Sequence, residues 1–143
     1  MEQVILRPIV KPGMHWVVVA CVTSLGEKNT ERNLISDYLD ELFKNNPDSH
    51  ASVIRAMENL ALNGPPRNED KYKNLSGRIH ELKVKQCRLI HFKDENYYIF
   101  TNGFNKKTQK TPPKHISTCQ KHFENFQAKK TSNRIIYEPY QYE

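Results

Sequence analysis

The chain has 143 residues, 37% of them apolar and 27% charged, which fits one globular domain and excludes a disordered polyelectrolyte. Its longest apolar run, Trp16 to Val22, is far shorter than the about 18–20 residues that cross a bilayer. Met1 to Pro12 lacks the pattern of a secretory leader, so the expectation is a cytoplasmic protein with no membrane partner. The formal charge of +6 is unevenly spread: residues 1–70 carry seven Lys/Arg against ten Asp/Glu, and residues 71–143 carry fifteen against six. A basic half of that kind suits a polyanion, or serves as a solvated face that aids solubility.

Residues 1–12 contain two prolines and no clear period, and read as an arm. A single domain is expected over 13–130, with a tail over 131–143. His15 to Val22 is β-branched and reads as a strand. Ser24–Asn29 reads as a turn around Gly26, and Thr30 as the N-cap of a helix with Glu31 in its first turn. Leu34, Ile35, Tyr38, Leu39, Leu42 and Phe43 then mark one apolar helical face. Asn45-Asn46-Pro47 ends that helix. Asp48 or Ser49 caps a second, whose face is Val53, Ile54, Met57, Leu60 and Ala61, and Gly64 stops it. The two are expected to form a helix hairpin.

Arg67–Ser76 reads as a polar loop. Beyond it the apolar period changes from 3.6 to 2. Arg78–Lys85, Gln86–Lys93 and Tyr97–Phe104 are three strands with short links, hence an antiparallel meander. Thr111-Pro112-Pro113 opens a third helix, with Ile116, Cys119, Phe123 and Phe126 as its seam. The order gives an α+β fold, with an N-terminal strand and helix hairpin on an antiparallel sheet and a C-terminal helix. The helices lie on one face. Cys21, Cys87 and Cys119 each sit in an apolar pattern without metal-ligand spacing, so they read as core residues. No metal or cofactor is expected.

Glu81 and Lys83 are two apart and project from one face of their strand. Tight pairing with the next strand sets Arg88 beside them. Cleavage of RNA through its own 2′-OH needs a base, fixed cations for the phosphorane, and an acid for the leaving oxygen. Glu81 is a candidate base, and Arg88 can grip two phosphate oxygens. Lys106 and Lys107 can hold the backbone or supply the proton. The same residues also read as a solvated, ion-paired face. His80 and His91 fall on the presumed core face. His115 and His122 fall on an exposed helix face, where contact with phosphate and a plain surface role both remain open.

Two stretches go further than spacing. One is Leu75-Ser76-Gly77-Arg78-Ile79-His80-Glu81-Leu82-Lys83, followed by Cys87-Arg88-Leu89-Ile90. The other is Phe104-Asn105-Lys106-Lys107-Thr108-Gln109-Lys110-Thr111-Pro112. Together they resemble the RelE/ParE toxin superfamily, and the second resembles its HigB branch of phage-derived, toxin-like proteins. The resemblance covers residues 74–126. It implies a RelE-like fold and a toxin of a type II toxin–antitoxin pair that cleaves mRNA in the ribosomal A site without a metal. The implied partners are the ribosome, mRNA and a cognate antitoxin of helix-turn-helix type. The matching positions for catalysis are Glu81, Arg88, Lys106 and Lys107. Arg78, Lys83, Lys110, Lys114 and Lys121 are candidate RNA or ribosome contacts. Lys83 stands where the family usually has arginine, which keeps the charge and loses the fork. A ParE-like inhibitor of DNA gyrase, or an inactive toxin that only binds antitoxin or RNA, has the same fold without the chemistry.

Overall fold

The computed structural model describes residues 2–25, 30–107 and 110–141. Its strands are β1 (Gln3–Pro8), β2 (Val17–Ser24), β3 (Glu31–Arg32), β4 (Tyr72–Ser76), β5 (Ile79–Val84), β6 (Cys87–Asp94), β7 (Tyr97–Asn105) and β8 (Ile135–Tyr137). Its helices are α1 (Leu34–Asn45), α2 (Pro47–Asn63) and α3 (Pro113–Thr131). The strands form one sheet in the order β4-β5-β6-β7-β2-β1-β8, with β3 added beside β2.

The meander β5-β6-β7 is antiparallel, as its two-residue links require. Lys85 and Glu95 take positive φ values of 55° and 53° there, matching the twist of a tight hairpin. The sheet as a whole is mixed, which corrects the antiparallel expectation. β2 runs parallel to β7, and β1 parallel to β8. Two helices and four further strands separate β2 from β7, so the chain has ample length to return in the same direction.

Helices cover both faces, which corrects the one-sided arrangement. On one face α1 and α2 bury Ile35, Leu39, Leu42, Val53, Met57 and Leu60 against Val18, Leu82, Leu89 and Phe100. On the other, α3 buries Cys119, Phe123 and Phe126 against Leu6, Ile79, Ile90, Phe92 and Ile99. The unbroken apolar run of β2 is what a strand buried on both faces needs: Val18, Ala20 and Val22 serve one core, Val19 and Cys21 the other.

The helix boundaries follow side-chain capping. Asn33, not Thr30, caps α1, its Oδ1 accepting from the Ser36 N–H at 3.1 Å. Glu31 is drawn into β3, where Arg7 bridges it to Glu138. Asn46 ends α1 and caps α2 by accepting from the Ser49 N–H at 3.2 Å, so Asp48 and Ser49 fall inside the helix. Gly64 ends α2 at φ 77°, with Trp16 packed against it.

Three segments expected to lack structure join the sheet. Gln3–Pro8, placed in an arm by its prolines, is β1, with Val4 and Leu6 fully buried. Pro8 lies at the strand's end, where a missing N–H costs little. Ile135–Tyr137, placed in the tail, is β8. Tyr72–Ser76, read as loop, is the edge strand β4, whose exposed polar residues hid its period. The turn around Gly26 lies mostly outside the described residues.

Candidate functional site

The chemistry-bearing residues meet where β5 and β7 end and β6 begins, beneath the first turn of α3. A bulge in β7 aims them. Ile90 faces Asn102 and His91 faces Phe100, which leaves Thr101 as an extra residue. Before the bulge, Tyr98 and Phe100 face the α1–α2 core. Strict alternation would send Asn102 and Phe104 the same way. The extra residue reverses this. Asn102 turns toward α3 and donates its Nδ2–H to the His115 carbonyl at 3.2 Å. Phe104 turns with it and stacks on the His115 ring, 3.9 Å between centroids and 1° from parallel. Gly103 faces α1, where an added Cβ would lie 2.6 Å from the Tyr38 ring.

Arg88 is the cross-strand partner of both Lys83 and Phe104, so the juxtaposition of Glu81, Lys83 and Arg88 on one face is present. Around Glu81 and Arg88 the face is buried rather than solvated. Glu81 is 2% exposed, and its Oε1 accepts from the Thr111 hydroxyl at 2.6 Å. That contact ties the segment entering α3 to β5. Arg88 is buried, and its Nη1 donates to the carbonyls of Lys85 at 2.7 Å and Cys87 at 3.0 Å. Those bonds hold the guanidinium over the β5–β6 turn. The Lys106 N–H donates to the Gln86 carbonyl at 2.7 Å, which brings that half-buried lysine to the same turn.

Residue spacing leaves His115 open between a surface role and contact with phosphate. It is half-buried on Phe104, and its pKa is held below the ordinary value by burial and then by Lys114. The imidazole is therefore neutral near pH 7, the form that can take a proton. Nothing in the residue pattern marks it, because the stack depends on the bulge. His91 is packed, as expected. It is fully buried, donates or accepts with the Tyr72 hydroxyl at 2.9 Å, and has its pKa pushed down to about 3, first by burial.

The remaining candidates spread out. Lys107 is exposed and lines a hollow on the α1 side of β7. Lys110 and Lys114 flank the start of α3, both exposed. Arg78 lies over the Phe123 ring at 5.7 Å, five residues before Lys83 and on the order of 15 Å along the strand. Lys121 lines a separate groove with Arg32 and His122. Thr108 and Gln109 lie outside the described residues. Among the described residues no three His, Cys, Asp or Glu side chains converge as metal ligands, and no helix is long and apolar enough to cross a membrane.

The molecule is thus an α+β protein with a mixed sheet and three helices, and Arg88, Lys106 and His115 gather at one end of that sheet. Residues 40–124, more than half of the chain, match the phage derived protein Gp49-like family (DUF891), and the chain belongs to that family. It is a family of RelE/HigB-like toxins of toxin–antitoxin systems. No curated protein matches the chain.

Proposed function

We propose that this protein is a ribosome-dependent mRNA endonuclease of the HigB branch, acting in the A site and held in check by a cognate antitoxin. The observation that carries the reading is the grouping of Arg88, Phe104 and His115 under the first turn of α3 in a chain of a toxin family. Neutral His115 takes the proton from the ribose 2′-OH. The 2′ oxygen attacks phosphorus and the bond to the 5′ oxygen breaks. Arg88 offers its remaining N–H groups to the equatorial oxygens, where charge develops. Lys106 gives a proton to the leaving 5′ oxygen. The products are a 2′,3′-cyclic phosphate and a 5′-hydroxyl.

Glu81 has a different role from the base assigned to it by spacing. Its buried carboxylate works through Thr111, fixing the start of α3 and so the height of His115 above the sheet. Lys83, Lys107, Lys110 and Lys114 hold the backbone near the cut. Arg78 and Lys121, farther off, contact RNA of the ribosome. The ribosome supplies the alignment of mRNA, which is why a sparse set of groups suffices.

The test is a purified translation system programmed with one defined mRNA. Addition of the protein gives cuts in the A-site codon with cyclic phosphate ends, read by primer extension and end-labelling. Intact mRNA at stalled ribosomes overturns the proposal. Inhibition of gyrase supercoiling in the same preparation would move the chain to the ParE-like reading.

A further inference from the structure

Two hollows of about 310 and 420 Å³ share Leu42, Asn46 and Asn105. They form one groove between the α1–α2 junction, the β5–β6 turn and the end of β7. Each is in the size range of small-ligand clefts, about 300–1,000 Å³. The groove lies behind Arg88, not under α3. Its wall is the β5–β6 turn, to whose carbonyls Arg88 is tied.

The lining is unusual in being rich in side-chain amides: Asn45, Asn46, Gln86 and Asn105. Two of these are oriented. Asn105 Oδ1 accepts from the Tyr38 hydroxyl at 2.6 Å, and Asn46 Oδ1 accepts from the Ser49 N–H at 3.2 Å. Each oxygen accepts one bond, which fixes the orientation of the amide and leaves its N–H pair able to donate. Lys85 and Lys107 add two exposed cations. The carboxylates of Glu41 and Asp48 stand on the same rim. A phosphate grip would exclude those carboxylates, which repel it. A nucleobase edge, with carbonyl acceptors beside amino donors, is complementary to the mixture.

We infer that this groove is a base-reading subsite, which takes the edge of the nucleotide next to the scissile phosphate and sets sequence preference by side-chain amides. The inference rests on the proposed RNA cleavage for its substrate class. Asn45 and Gln86 are its free readers, because Asn46 and Asn105 are already engaged in the fold. Both are exposed, so their removal leaves the core untouched.

The experiment uses fluorescein-labelled 2′-O-methyl hexanucleotides, which cannot be cut, in a series differing at one base. Anisotropy titrations compare the intact chain with the Asn45→Ala/Gln86→Ala double variant. One good amide–base pair is worth about tenfold in affinity. The expected result is a preference of about that size among the four bases in the native protein, falling to about twofold in the variant. Equal affinity for all four bases, or an unchanged preference in the variant, overturns the inference. Cleavage is scored separately. Base preference without cleavage removes the nuclease and keeps the groove, and cleavage without base preference does the reverse.

Discussion

Replacing Arg88 by lysine separates what this residue does for the fold from what it does for RNA. Its guanidinium bonds two backbone carbonyls from a position only 8% exposed. A hydrogen bond from a charged donor contributes about 1.5–3 kcal/mol. Alanine loses both and leaves the Cys87 carbonyl without that partner, a cost of roughly 2–4 kcal/mol. That is a large part of the typical 5–15 kcal/mol that holds a domain together, to order of magnitude. Loss of toxicity in Arg88→Ala would thus mix unfolding with lost chemistry. Lysine keeps the charge and can reach one carbonyl, so Arg88→Lys is expected to cost about 1–2 kcal/mol in urea denaturation. A lysine that points to a carbonyl cannot also grip the phosphorane through a fork. Single-turnover cleavage on stalled ribosomes should fall about 100-fold, well beyond what the stability change explains. A Lys variant that cuts within about threefold of the native rate would refute the fork as the source of transition-state binding. An unchanged urea midpoint would refute the structural role of the carbonyl bonds.

His115→Gln should lower the cleavage rate by about 100- to 10,000-fold while RNA binding persists; a native-like rate removes the base. Because the His115 pKa is depressed, the native pH–rate profile should rise with a midpoint below about 6.5, the ordinary histidine value, and that limb should vanish in His115→Gln. Lys106→Ala should reduce the slope of log affinity against log salt by about 0.7, one phosphate contact on a single strand; an unaltered slope argues against such contact. His91 gives a stability test. The unfolded chain binds its proton below about 6.5 and the folded chain only near 3, so its contribution is complete above the first value and is lost as pH falls toward the second. By pH 5 the loss is about 2 kcal/mol. His91→Phe should flatten the dependence of the denaturation midpoint between pH 7 and 5 relative to the native chain.

The parts of this molecule legible from residue order are those with a period. The meander, the α1 and α2 faces and the α3 seam follow from alternation or 3.6-residue spacing, and the grouping of Glu81, Lys83 and Arg88 follows from two-residue parity and a tight turn. What escaped depends on partners distant in the chain. β1 is six residues with a terminal proline, and it becomes a strand because β2 and β8 flank it. β4 exposes most of its residues and pairs through its backbone. The opposite coverings of the sheet were encoded in the uninterrupted apolar run of β2, a signal that alternation-based reading does not use. At the site, the burial of Glu81 follows from Thr111, thirty positions away. His115 enters only through Phe104, whose facing is set by Thr101.

The bulge at Thr101 makes this site depend on register. Straightening the ladder there, with every residue kept, would set Gly103 opposite Arg88 and Phe104 opposite Cys87. Their faces would be exchanged, driving a phenyl ring toward Tyr38 and leaving His115 against a residue with no ring. Deleting Thr101 would instead remove the extra residue and the bulge together, and Phe104 would stay opposite Arg88. The site is thus disarmed by a one-residue slip that leaves its composition and charge untouched, and it is spared by a deletion that takes the bulge away.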